Sequence, residues 1–166
     1  MSFDTRAFRN ALGCFPTGVA VVTAARSGGL QDERAPMGIT VNSFASVSLD
    51  PPLVLWCVDR RSDRFETFTT APGFTISILD AAHRGVSARL ARPRAHRLDG
   101  IALLPTELGP PALAEALAVF ECGRECVHPG GDHVIIVGRV LRFSHRAAGA
   151  PLVFFRGGYG TVGEGA

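Results

Sequence analysis

Short β-branched and apolar runs, each closed by glycine, proline or aspartate, recur along this chain, and helix-like stretches interrupt them in only three places. That order constrains the fold more than any single residue. Strict alternation of strand and helix builds a parallel sheet; mostly consecutive strands pair antiparallel, and closing such a sheet removes its exposed edges. Residues 19–25 read as a first strand ended by Ser27-Gly28-Gly29, and residues 37–47 as a second extended stretch stopped by Asp50-Pro51-Pro52. A strand over 53–58 is apolar enough to be buried on both faces. Further strands are expected over 74–79, 116–127, 133–143 and 152–155, the last followed by a glycine-rich tail. The helices fall over 5–14, capped by Asp4 with Phe8, Leu12 and Phe15 on one face, over 62–71 with Phe65 and Phe68 inward, and over 81–91, capped by Asp80. Residues 92–100 read as an exposed loop. With no repeat and no linker, residues 1–166 are expected to form one mainly β domain with short helices, closed as an antiparallel barrel.

Composition narrows the chemistry. A net charge of +2 with both signs scattered is too small for an electrostatic nucleic-acid binder. All 17 basic residues are arginine, and the absence of lysine excludes a Schiff-base lysine, a pyridoxal-phosphate site and a Walker A loop. No stretch approaches the roughly 18–20 apolar residues of a membrane span, and the first fifteen residues carry no signal-peptide core. The expectation is a cytoplasmic protein that contacts no membrane, its four cysteines (Cys14, Cys57, Cys122, Cys126) free thiols.

Two motifs are coincidences of spelling. Gly158 to Gly163 reads G-x-G-x-x-G, but a dinucleotide fold needs that pattern between a first strand and a helix. Cys122 and Cys126, near His128 and His133, hint at zinc; on a regular strand the two thiols share a face yet lie about 13 Å apart, so no metal site is expected. No G-x-S-x-G elbow favours a hydrolase. The stretch Gly38-Ile39-Thr40-Val41-Asn42-Ser43-Phe44-Ala45-Ser46-Val47-Ser48 differs from these, because it crowds small hydrogen-bonding groups where a structural strand would alternate. Such groups suit a flat, hydrogen-bond-rich heterocycle such as an isoalloxazine ring.

Four blocks, in order, carry a resemblance. They are Phe15-Pro16-Thr17-Gly18-Val19 with Val21-Val22-Thr23; Thr40-Val41-Asn42-Ser43-Phe44 with Ser46-Val47-Ser48-Leu49-Asp50-Pro51-Pro52-Leu53-Val54; Gly131-Asp132-His133 with Gly138-Arg139-Val140; and Pro151-Leu152-Val153-Phe154-Phe155-Arg156-Gly157-Gly158-Tyr159. Together they resemble the flavin reductase-like, FMN-binding split-barrel family over most of the chain.

The resemblance implies a six-stranded antiparallel split β-barrel of the FMN-binding type, working as a homodimer. It implies binding of FMN or FAD and of NADH or NADPH, and transfer of reduced flavin to a separate monooxygenase. By position, Thr40, Val41, Asn42, Ser43 and Ser46 would line the flavin ring, Cys57 and Val58 would add backbone contacts, and Arg61 and Ser62 would lie close by. Leu79, His83 and Arg84 fall where the family places part of the flavin tail, with the helix after Asp80 offering its N-terminus to phosphate. His133 matches a histidine near the nicotinamide, and Thr17, Arg156 and Tyr159 are further candidates for that cofactor. The alternative function is a non-catalytic flavin- or haem-binding carrier or sensor of the same fold.

Overall fold

A computed structural model describes residues 3–25 and 35–163; the expected turn at 27–29 lies outside them. Helix α1 (Thr5–Leu12) starts where the Asp4 carboxylate accepts from the backbone N–H groups of Arg6 and Ala7, at 2.9 and 3.0 Å. It leads into β1 (Thr17–Gly18) and β2 (Ala20–Ala24). The polar stretch expected to be one element is two, β3 (Met37–Val41) and β4 (Ala45–Leu49), followed by β5 (Pro52–Asp59). After α2 (Phe65–Thr70) and β6 (Gly73–Ile78), a 3-10 turn, Ala81–His83, precedes α3 (Arg84–Leu90). The short pair β7 (Leu103–Leu104) and β8 (Ala112–Leu113) precedes the long hairpin of β9 (Ala118–Gly130) and β10 (His133–His145). Strands β11 (Leu152–Phe155) and β12 (Gly158–Thr161) complete the described chain.

Seven strands form one antiparallel sheet in the order β3-β2-β6-β9-β10-β5-β4. Its two edge strands, β3 and β4, are consecutive in sequence and joined by residues 42–44 alone. Laid flat, six strand spacings would separate those edges by about 29 Å, whereas the connector spans at most about 14 Å. The sheet must therefore curl until its edges approach. Among the described residues no ladder joins β3 to β4, so the curled sheet keeps an open seam.

The core lies inside the curl. Trp56 stands edge-on to Phe68 and Phe74, at ring distances of 5.2 and 5.7 Å, and Ile76, Ile136, Val22 and Cys122 pack around them. The expectation that 53–58 is buried on both faces is corrected here. Val54, Trp56 and Val58 turn inward, while Leu53, Leu55 and Cys57 are only half-buried, because the outer face of β5 opens on a cleft instead of another layer. Strand β2 is covered on both sides: Ala20, Val22 and Ala24 enter the main core, and Val21, with Val19 just before the strand, meets Leu79, Leu90, Leu113 and Leu152 in a second one. The Thr23 and Thr75 hydroxyls donate to the carbonyls of Pro111 and Pro110, at 2.6 and 2.7 Å, and fasten that outer layer.

Two further sequence readings change. The pairing of β9 with β10 skips Glu125, since Cys126 faces Val137 and Arg124 faces Gly138. This irregularity reverses side-chain parity, so Cys122 is buried in the core while Cys126 turns to the other face, its Sγ 3.1 Å from His128 Nε2. Among the described residues no three His, Cys, Asp or Glu side chains gather as a metal site requires. The tail expected to be irregular contains β12, which pairs with β11, and its glycine motif opens no helix.

Candidate active site

The open seam leads into a cleft of about 700 Å³, a size that admits a nucleotide-like ligand. One wall is the end of β3 with its connector, Thr40 to Ser43; the opposite wall is the 61–64 turn with Ala91, Pro93 and Arg94. Cys57, Asp59 and His133 form the floor. Register puts them there, because His133 pairs with Asp59 and Ile135 with Cys57, so these side chains share the outer face of the sheet.

Several polar groups hold the walls in place. The Ser43 hydroxyl accepts from the Cys57 backbone N–H at 2.9 Å, tacking the connector to β5, and the Thr40 hydroxyl donates to the Ser87 carbonyl at 2.8 Å, tying β3 to α3. Asn42 is exposed, and its amide makes no hydrogen bond within the described residues, which leaves it for a ligand. His133 Nδ1 lies 2.7 Å from the Asp132 carboxylate, which fixes the ring and leaves Nε2 for the cleft. That bond and the imidazole charge hold the Asp132 carboxyl below the usual range. Asp59 is likewise held low by hydrogen bonds from the Arg61 side chain and backbone N–H. Burial pushes the Cys57 thiol up, against a smaller opposing bond with Ser43, which disfavours the thiolate.

Residues 12–163 match the family model described as "Flavin reductase like domain". The chain belongs to this flavin reductase-like family. It is 48% identical over 157 residues to the FMN reductase (NADH) SmoA of Agrobacterium fabrum, covering 95% of this chain and 86% of that one. It is 36% identical over 158 residues to HsaB of Mycobacterium tuberculosis, the reductase subunit of a flavin-dependent monooxygenase, covering 94% and 81%. Among solved structures, the Streptomyces globisporus NADH:FAD oxidoreductase SgcE6, in complex with NAD and FAD fragments, superposes with a TM-score of 0.89 at 34% identity, covering 100% and 99%.

Of the residues singled out in the sequence of this flavin reductase-like chain, Thr40, Val41, Asn42, Ser43, Cys57, Val58, Arg61, Ser62 and His133 border the cleft together. Tyr159 borders a smaller pocket of about 170 Å³ that shares Thr40, Val41, Asn42 and Ala91 with the cleft. Its hydroxyl lies 2.8 Å from Ser87 Oγ, and the Arg84 guanidinium sits 5.8 Å from its ring centre. The others stand apart from the cleft. Ser46 is exposed on edge strand β4; Leu79 is buried in the second core; His83 Nε2 lies 2.9 Å from the Ala114 carbonyl. Thr17 pairs with Phe154, and Arg156 lies at the β11–β12 turn. The N-terminus after Asp80 is filled by Asp80 itself, whose carboxylate accepts from Ala82 and Ala150 N–H at 2.9 and 3.2 Å.

Sequence reasoning missed the Asp63–Arg64 pair. Arg64, only 3% exposed, donates to the carbonyls of Leu90 and Arg92 at 3.4 and 2.8 Å. Asp63 accepts from the Arg94 backbone N–H at 2.9 Å and lies 3.6 Å from His96 Nδ1. Together they hold residues 90–96 as the far wall. Asp63 reads in sequence as a first-turn helix acid, and residues 92–100 as solvated loop, since a charge carries no mark of its direction.

Proposed function

We propose that the cleft seats the isoalloxazine ring of FMN or FAD beside the nicotinamide of NADH or NADPH, in an NAD(P)H:flavin oxidoreductase that supplies reduced flavin to a partner monooxygenase. The observation that carries this reading is the convergence of the unpaired Asn42 amide and the Asp132-oriented His133 on one cleft, in a chain whose relatives are flavin reductases. The residues fit the cofactor: a cleft of suitable size, apolar at Ile39 and Val41, and polar at the positions a ring edge would meet.

When bound, the flavin accepts a hydride from the reduced nicotinamide, and that chemistry is the cofactors' own. The chain's part is positioning and charge. Asn42 donates to the edge of the ring, and the Ser43 tether keeps Asn42 in place against β5. Arg94 and Arg61 supply positive potential for charge that builds on the ring, although Asp59 neutralises part of Arg61. His133 orients the nicotinamide through Nε2, with Asp132 holding the imidazole.

The curled sheet with its open seam fits the split barrel of the resemblance, with seven strands in place of six because residues 37–49 divide into β3 and β4. A homodimer is supported by α1, which has no buried residue and exposes Phe8 and Leu12 beside Phe3 and Phe15. A cytoplasmic, single-domain protein agrees with four free thiols and with the absence, among the described residues, of any helix long and apolar enough to cross a membrane.

Titrating FMN and FAD with the purified protein, followed by flavin fluorescence, tests the site. Saturable quenching that weakens about 3- to 10-fold in Asn42→Ala is expected for one lost ligand hydrogen bond. Unchanged quenching in that variant would remove Asn42 from the site.

A further inference from the structure

One carboxylate joins the far wall of the cleft to the loop behind it. Asp63 lines the cleft in the 61–64 turn, beside Arg61 and Ser62. Its Oδ2 accepts from the Arg94 backbone N–H at 2.9 Å, and Arg94 stands at φ 62. His96 lies behind that wall, where it lines a separate hollow of about 260 Å³ with Met37, Leu98 and Leu103.

Two donors face this carboxylate and stop short of it. His96 Nδ1 is 3.6 Å from Asp63 Oδ2, and Arg64 Nε is 3.9 Å from Oδ1. Both distances suit an ion pair and are too long for a hydrogen bond. Both nitrogens are buried, and neither has a hydrogen-bond partner among the described residues. Buried polar atoms are rarely left so. The two donors are themselves anchored to the loop side of the wall. The Arg64 guanidinium is held by the Leu90 and Arg92 carbonyls, and the His96 carbonyl accepts from the Gly38 N–H of β3 at 3.0 Å. The part left to move is the turn that carries Asp63. Other charged groups stand about the ring. Arg97 and Asp99, on its own loop, pair at 2.7 Å, and Arg89 of α3 donates to the Arg97 and Asp99 carbonyls at 3.0 and 2.9 Å. Arg94 turns its side chain to the cleft. Asp99 is thus committed to Arg97, whereas Asp63 faces the imidazole.

We propose that His96 is a positioning residue for the cleft: when a flavin seats, the 61–64 turn closes by about 1 Å toward residues 90–96, and the Asp63 carboxylate accepts hydrogen bonds from His96 Nδ1–H and Arg64 Nε–H. A ligand held between this turn and residues 40–43 gains contacts as the walls approach, so it favours the closed form. Closure also favours the protonated imidazole, which carries a hydrogen on Nδ1 and a charge opposite to that of Asp63. Flavin binding therefore takes up a proton and tightens as pH falls. The inference rests on the reading of the cleft as the flavin site and adds to it a control exerted from behind the wall.

The test titrates FMN and FAD by fluorescence between about pH 8 and 6, the range in which imidazoles change charge. The unaltered protein is compared with His96→Asn, which keeps a donor near the position of Nδ1 but cannot gain a proton, and with His96→Ala, which keeps neither. His133 is present in all three proteins, so the ratio of a variant's Kd to that of the unaltered protein isolates His96. His96→Ala should raise the flavin Kd about tenfold at about pH 6, for the loss of a charge-assisted bond. His96→Asn should stay within about threefold of the unaltered protein at about pH 8 and fall about three- to tenfold further behind at about pH 6. A merely structural role would give ratios that do not change with pH. Nitrogen-15 NMR of the imidazoles, five in this chain, adds a direct readout: the signal missing from His96→Asn belongs to His96, and its Nδ1 should shift when flavin is added. Ratios constant within about twofold across the range, or a His96 signal that flavin does not move, overturn the proposal. Failure of the unaltered protein to quench either flavin would instead remove the flavin reading on which it rests.

Discussion

At the scale of single residues, the proposed function rests on a few unsatisfied or oriented groups at the edge of a well-packed sheet. His133 is the clearest. Its Nδ1 is committed to Asp132, 2.7 Å away, and its Nε2 is left for a ligand on the sheet face it shares with Cys57. His133→Ala should slow flavin reduction by NADH about 10- to 100-fold while changing flavin affinity less than about threefold, because it removes orientation and not ring contacts. Stopped-flow reduction beside a fluorescence titration separates the two, and equal activity would remove the assigned role. Asp132→Asn should fall between the two proteins. Glycine exerts its effect by absence at Gly138, where an added Cβ would lie 2.5 Å from the Phe74 ring and 3.0 Å from Cys122 Cβ. Phe74 is itself wedged against Trp56 and has nowhere to turn. Gly138→Ala should therefore cost about 1–3 kcal/mol in chemical denaturation, with the slope unchanged.

At the scale of elements, the far wall of the cleft is a short helix and loop held by buried charge. Arg64 reaches from the start of α2 to the carbonyls that end α3, and burial pushes its guanidinium pKa down despite Asp63 beside it. Arg64→Leu should lose about 2–3 kcal/mol of stability and raise the flavin KM, while Arg64→Lys should recover part of each, since the ammonium reaches one carbonyl and not two. A KM left unchanged by both would mean the 90–96 segment does not shape the site. The Asp80 cap predicts a pH dependence. Its carboxyl is held low mainly by the Ala82 N–H, with Ala150 adding to it, so its folded value lies below the unfolded one. That contribution is complete above the ordinary carboxylate range and is lost as pH falls through the depressed folded value. In Asp80→Asn, thermal melts across that range should show a shallower acid decline than the unaltered protein; identical slopes would contradict the assignment. The same elements show what was legible in sequence. The Asp4 and Asp80 caps, the two long strands and the polar 38–48 stretch were readable because propensity and turn chemistry act locally. The division of 37–49 between opposite sheet edges, the parity reversal at Glu125 and the inward turn of Arg64 were not, because pairing partners decide each of them.

At the scale of the whole molecule, one topological fact organises the site. The sheet's edges are neighbours in sequence, so a three-residue connector draws them together and the cleft opens at the seam they leave. Residues 40–43 lie at that seam, and β5 with the start of β10 brings Cys57, Asp59 and His133 beneath them. The second and third blocks of the sequence resemblance thus each bring residues to the cleft, Thr40 to Ser43 from one and His133 from the other. The relatives of this chain include proteins named as flavin reductases. The most direct measurement is oxidation of NADH and NADPH by the purified protein with FMN, with FAD and without added flavin, followed by loss of reduced-nicotinamide absorbance. Catalytic turnover that depends on flavin is predicted. Tight flavin binding without turnover would contradict the account and leave a carrier in its place.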